Sequence, residues 1–398
     1  MKSSPHGLLA QVSTAHLVSH LHIMAVPALL PVLPGAMEVS FVELGFAIGL
    51  FNIVSALVQA PLGFLVDRLG ARQMLMAALL LGAASFGLVA AFPYYSVLLA
   101  AMVMAGLANG VYHPANYSLL SGGMPASRMG RAFSIHTFAG FLGAALAPPL
   151  MIGVALTIGL RAAFAVAACA GLIAWGVMVF LGSPVAAKKP VSGKVEARST
   201  ETRPITTPVV TLAVLTLLFT LLSLSTGGIE KFSVSALVEG FDVTLSAANL
   251  ALTAFLFASA FGVLAGGVLA DRTEKHGVVA AATFALAALI IVLVIEVSLP
   301  PLALVVALGI AGFLTGMVAP SRDMLVRAAS PAGAEGRTFG IVSTGFNMGG
   351  VIGPILFGLL LDEGLASGVL WATVGFMATT TVVVLLQERH RLWTPVRV

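Results

Sequence analysis

The chain has 398 residues, 59% of them hydrophobic and only 9% charged, with a mean hydropathy of +1.05 and a formal net charge of +4. Soluble domains carry roughly 25% charged residues, so the composition excludes a water-soluble globular protein. The pI of about 9.5 calls for no nucleic-acid partner, because the basic residues are sorted into the short segments between apolar runs.

Twelve apolar stretches recur from end to end, at about 8–34, 42–66, 73–92, 96–121, 131–158, 161–182, 208–238, 244–270, 278–298, 301–326, 337–361 and 367–387. Each is long enough to cross a hydrocarbon core of ~30 Å at ~1.5 Å per residue. A helix satisfies its backbone groups within the segment, so the expectation is an all-α membrane protein of twelve transmembrane helices. The first stretch is too long for a cleaved signal and has no small-residue cleavage pattern, so it is expected to remain as a span. The lone Cys169 gives no disulfide framework.

Taken in chain order, the spans carry their polar residues unevenly. The first holds His16, His20 and His22 inside an apolar run. His16 and His20, four residues apart, share a helix face, and His22 lies about 200° round from His20. Such a His-x-x-x-His spacing fits zinc in metalloproteases, but no carboxylate stands nearby, and no metal site is assigned. A helix–helix hydrogen bond and a proton or substrate role both remain open for these imidazoles. The second span ends in Gly63-Phe-Leu-Val-Asp67-Arg68-Leu-Gly70-Ala-Arg72. The fourth carries Asn109, His113 and Asn116 around Pro114. His113 either satisfies a kinked helix or donates to an anionic solute. The fifth opens with Arg131, has His136 near its start as a structural group, and continues with Gly140, Gly143, Pro148 and Pro149. Residues 183–207, rich in Pro, Ser, Thr and Lys, read as a flexible linker. In the seventh span Glu230 and Lys231 follow Gly227-Gly228, a candidate helix break. The tenth holds Arg322 and Asp323. Glu230 and Asp323 are carboxylates able to carry a proton, or else halves of static ion pairs.

The two halves repeat. Residues 105–135 align without gaps over 311–341, sharing Gly106/Gly312, Gly110/Gly316, Pro114/Pro320, Gly130/Gly336, Arg131/Arg337 and Phe133/Phe339. "GFLVDR" (63–68) lies over "GVLADR" (267–272), which repeats Asp67-Arg68 as Asp271-Arg272. Two parallel six-helix repeats with a site at their interface form a transporter architecture. On these motifs the whole chain resembles the major facilitator superfamily. Around "GVYHPANYSLLS" it is similar to that superfamily's fosmidomycin-resistance-like branch. The signature loop is nearly intact, with Ala71 in place of a basic residue, and Glu274 replaces a glycine in the second copy.

The resemblance implies two pseudo-symmetric six-helix bundles, 1–182 and 208–398, in which spans 1, 4, 7 and 10 line a central cavity. Away from the span ends, at least three residues inside a span, eight of the nine charged or histidine residues fall on those four helices. Ionisable groups in a bilayer cost several kcal/mol unless they face protein or water, so this sorting marks a pathway. The expected function is proton-coupled secondary transport of a small polar or anionic organic solute by alternating access. A hydrophobic-drug exporter and a non-transporting sensor are the alternatives. The first would need an aromatic cavity with one buried acid, and the second a longer tail than "ERHRLWTPVRV". Substrate contacts are expected from His20, His22, Asn109, His113, Asn116, Lys231 and Arg322. Proton coupling is expected from His16, His20, Glu230 and Asp323. Gating is expected from Asp67, Arg68, Arg72, Asp271, Arg272, Arg131 and Arg337. No phosphate-binding loop is present, so no enzyme activity and no cofactor are expected. Seventeen of the 20 basic residues fall on one side of the twelve-span topology, which places both termini in the cytoplasm of an inner-membrane protein. The chain is expected to act as a monomer, with solute, protons and lipid as its partners.

Overall fold

The computed structural model describes residues 2–3, 5–125, 128–181, 183–184, 209–270, 272–329 and 335–393. Asp271 and nearly all of the linker lie outside the described residues, as does the side chain of Arg337. Twelve helices are long and apolar enough to cross a membrane. They are α1 (Pro5–Leu29), α2 (Phe41–Leu69), α3 (Ala71–Ala91), α4 (Tyr95–Gly123), α5 (Met129–Thr157), α6 (Leu160–Phe180), α7 (Val209–Gly240), α8 (Leu245–Ala270), α9 (His276–Glu296), α10 (Pro301–Ala329), α11 (Glu335–Asp362) and α12 (Ala366–Trp393). A short helix, Leu33–Met37, joins α1 to α2, and Lys2–Ser3 pairs in parallel with Ser183–Pro184.

Prolines stand inside α1, α2, α4, α5, α10 and α11 without ending them. Neighbouring helices re-satisfy the carbonyls such prolines free, a tolerance typical of spanning segments. The candidate break after Gly227 is not a break. The helix runs on through a π-helical turn, Gly228–Phe232, before resuming as Ser233–Gly240. Between α2 and α3 the chain reverses on Gly70, whose φ of +97° lies where only glycine is comfortable. The glycine of the signature loop is therefore required by the turn itself.

The chain divides into two compact units, one of Met1–Leu29 with Leu50–Ile205 and one of Leu30–Gly49 with Thr206–Val398. In the first unit α1 is the most enclosed helix: 78% of its most apolar window is buried, against 33–50% for the other spans. Most polar side chains in that window of α1 therefore meet protein. Outward-facing Phe64, Phe180, Leu172 and Ile173 present the apolar surface a lipid-facing helix needs.

Glycines set the closest approaches. Gly140 and Gly143 of α5 lie against the His16 ring and the Leu17 backbone of α1. Gly345 and Gly349 of α11 lie against the Thr216 and Thr220 carbonyls of α7. Gly106 and Gly110 of α4 meet Phe51 and Val58 of α2, and Gly312 and Gly316 of α10 meet the Phe255 and Ser259 carbonyls of α8. Of these glycines, Gly106/Gly312, Gly110/Gly316 and Gly143/Gly349 are shared by the two halves, and a Cβ at any of them would force its helix pair apart. Gly63 is different, because a Cβ there would sit 3.8 Å from Pro114, an ordinary contact.

In the second unit the first turns of α2 pack on α11. The backbone N–H groups of Phe41 and Val42 donate to the two Asp362 oxygens at 2.8 and 2.7 Å. Gly45 and Gly358 sit against the Pro354 and Phe41 carbonyls. A carboxylate at the last residue of one helix thereby caps the first turn of another.

Candidate functional site

Three helices of the first unit bring four imidazoles together. The His16 ring lies 4.6 Å from that of His20, 5.5 Å from that of His113 and 3.9 Å from that of His136, stacked on the last at 24°. α1 supplies the first pair, α4 supplies His113 and α5 supplies His136. Tyr117 of α4 edges the group, with its ring 6.5 Å from His113 and 6.3 Å from His136. The arrangement depends on Gly140, since a Cβ there would meet the rings of both His16 and His20.

His16 and His136 are buried, at 5% and 2% exposure. Nδ1 of His16 and both ring nitrogens of His136 have no hydrogen-bond partner. A buried unpaired donor or acceptor costs about 1–3 kcal/mol. These nitrogens are polar groups that a water, a proton or a solute could pair with. The rings cannot all be charged together, because two charges ~4 Å apart repel by about 4 kcal/mol even at an effective dielectric of ~20. Among the described residues, no group of three or more His, Cys, Asp or Glu is arranged to hold a metal.

The structure does not bring His22 into this group. Its Nε2 donates to the Ala167 carbonyl of α6 at 2.9 Å, its ring tilts over Phe86 at 4.8 Å, and it packs on Gly82. That is a helix–helix tie in the bundle interior. Asn109 donates to Ser55 at 2.7 Å. Asn116 is fully buried, with neither its side-chain oxygen nor its nitrogen partnered. His136, expected as a structural group, is brought to the cluster by stacking on His16. Its signal was present in Gly140 one turn later, but a lone histidine gives no hint of which helix it will meet.

The second unit builds something different at its centre. Arg322 of α10 lies between two phenyl rings, 5.1 Å from the centroid of Phe219 on α7 and 5.0 Å from that of Phe346 on α11. Its Nε and one terminal nitrogen both reach Oδ1 of Asp323, at 2.9 and 2.8 Å. Arg322 also borders a small apolar void of about 20 Å³, lined by residues including Leu215, Leu218, Phe284 and Val318. That space holds about one water. Glu230 and Lys231 ride on the π turn, eleven residues after Phe219, or roughly 16 Å along the helix. The two charged pairs occupy separate layers.

Of the gating candidates, Asp67 and Arg68 stand exposed at the end of α2, and Arg272 is exposed after α8. Arg72 turns inward, donating to Oε1 of the buried Gln11 and to the Met178 carbonyl near the end of α6. It clamps three helices of its own unit. Arg131 is exposed near the start of α5.

Comparison with known proteins agrees with this architecture. The Escherichia coli (strain K12) fosmidomycin resistance protein is 25% identical over 367 residues, covering 90% of this chain and 87% of the relative. An uncharacterized transporter of the same superfamily from Bacillus subtilis (strain 168), YfnC, is 26% identical over 364 residues with the same coverage. Among solved structures, a bacterial homolog of the human lysosomal transporter Spinster, in an inward-facing and unoccupied conformation, superposes with a TM-score of 0.75 at 16% identity. It covers 98% of this chain and 99% of its own. The nucleoside transporter NupG gives 0.76 at 14% identity, over 95% and 99%. The family profile itself matches twice, over residues 12–235 and 231–397, once for each half of the internal repeat. With twelve spanning helices, duplicated signature loops and near-complete coverage, the chain belongs to the Major Facilitator Superfamily of membrane transporters.

Proposed function

We propose that the protein is a proton-coupled secondary active transporter of a small polar or anionic organic solute. It works by alternating access of two six-helix bundles, 1–182 and 208–398, as a monomer in the inner membrane with both termini cytoplasmic. The observation that carries the reading is the imidazole cluster of His16, His20, His113 and His136, with unpartnered ring nitrogens on the buried His16 and His136. A site with room for one positive charge binds a proton and an anion together more readily than either alone. Substrate and proton then raise each other's affinity by linkage. Arg322 supplies a second cationic contact, with Lys231 in the outer layer. Glu230 and Asp323 are the competing proton carriers. Asp67-Arg68 and its repeat Asp271-Arg272, with Arg131 and Arg337, close the cytoplasmic side. An exporter of lipophilic compounds is the less favoured reading, because histidines and an arginine stand where it would place apolar rings.

Uptake into proteoliposomes under an imposed pH gradient tests this, with fosmidomycin, the compound in the Escherichia coli relative's name, as first probe and a panel of organic anions beside it. Transport should follow the proton gradient, and binding should weaken as pH rises from about 5.5 to 8, the range in which imidazoles ordinarily titrate. His20→Gln and His113→Gln should flatten that dependence. If it persists in every histidine variant and vanishes in Glu230→Gln or Asp323→Asn, a carboxylate is the coupling group and the cluster is structural.

A further inference from the structure

A second polar site lies at the ends of the same helices that carry the imidazoles. A cavity of about 360 Å³ opens where the start of α1, the end of α4 and the start of α5 meet. His6, Arg128 and Arg131 line it above Leu9, Met124 and Ile135, and no acidic side chain lines it among the described residues. Beneath it Leu8, Val12, Leu120, Met124 and Ala132 form a buried apolar cluster. The 29-residue helix α5 begins at this cavity, and its N-cap residue Arg128 makes no side-chain capping hydrogen bond. Its first N–H groups and the positive end of its dipole therefore add to the two guanidinium groups. Arginine pairs bind tetrahedral oxyanions with two parallel hydrogen bonds. The apolar floor asks for a hydrocarbon arm on the same molecule, and the volume suits a small organic ligand.

We propose that this cavity is an oxyanion site, taking a phosphate or phosphonate group that carries a short apolar arm. Basic pockets between spanning helices on the cytoplasmic side bind phospholipid headgroups, and a soluble organophosphate offers the same chemistry. The site shares no residue with the imidazole cluster, so it stands or falls by binding alone.

Full-length protein separates the two sources. In one arm, wild type and Arg128→Gln/Arg131→Gln are placed in nanodiscs mixing phosphatidylglycerol and phosphatidylcholine, and co-purifying lipid is counted by native mass spectrometry. In the other, lipid-depleted protein in detergent is titrated with glycerol 3-phosphate by calorimetry at two salt concentrations. Retained phosphatidylglycerol that the double variant loses identifies a headgroup site. Salt-sensitive glycerol 3-phosphate binding that weakens about tenfold or more in the double variant identifies a soluble-anion site. Arg128→Lys/Arg131→Lys keeps the charge and should retain most of the binding, which guards against a folding defect. The proposal is overturned if wild type binds neither probe selectively, or if the glutamine variant binds both as wild type does.

Discussion

Gly140 has no side chain, and the imidazoles of His16 and His20 fill the space one would need. Gly140→Ala therefore tests the cluster without touching a histidine. The methyl group must push the rings off their contacts, an overpacking cost of about 1–3 kcal/mol. It should lower transport and flatten its pH dependence while leaving the protein monodisperse in detergent. An alanine variant with a wild-type pH profile would show that ring placement is immaterial. Arg322 makes the opposite demand. Its flat guanidinium lies between Phe219 and Phe346, a geometry that the point charge of lysine cannot reproduce. Arg322→Lys should lose roughly 1–2 kcal/mol of thermal stability together with transport, read by melting in detergent and by uptake. Wild-type transport in Arg322→Lys would show that the counter-charge alone matters. The sequence showed that both residues had to face protein or water. It was silent on neighbours: the stacking of His136 on His16 and the phenyl pair around Arg322 both join helices far apart in the chain.

At the scale of elements, hydropathy located every span, with most ends within a few residues of the helix bounds and the first helix stopping at Leu29, short of the expected 34. What it missed lies at junctions. Periodicity carries no information on a carboxylate that caps a helix begun 320 residues earlier, as Asp362 does for α2. Asp362→Ala should weaken that helix start by about 1 kcal/mol. Faster amide exchange at residues 41–45, confined to that turn, is the expected signature. Unchanged exchange would mean that the glycine contacts at 45 and 358 hold the turn unaided. Arg72 is a similar case. Its place in the signature loop marked it for gating, yet its partners are Gln11 and Met178 inside its own unit.

For the whole molecule, the internal repeat gave the architecture, while the chemistry on that frame is unequal. Asn116 aligns with Arg322, His113 with Ala319 and His136 with Val342. One unit thus stacks imidazoles where the other sandwiches a guanidinium. Topology is open to a direct check. In a Cys169→Ser background, Arg68→Cys and Asp242→Cys place exposed thiols at the C-terminal ends of α2 and α7, which the proposed topology puts on opposite sides of the membrane. Impermeant maleimide applied to intact cells should label only the cysteine at 242. Labelling at 68 instead would invert the orientation read from the arginines.

The π turn at Gly228–Phe232 has a consequence for how the two halves diverged. Helix α1 meets Gly143 through the Leu17 carbonyl, and α7 meets the aligned Gly349 through that of Thr220, 203 positions later. At the signature loops the spacing between the halves, Gly63 to Gly267, has become 204. The second half therefore carries one residue more than the first between these two marks, and a π turn is an α-helix holding one residue too many. One added residue rotates everything beyond it by about 100° on a helix of ~3.6 residues per turn. Deleting Ile229 should then erase the irregularity and swing Val234 and Leu237 off the face they now bury. Glu230 and Lys231 sit on that turn, so their aim should change with it.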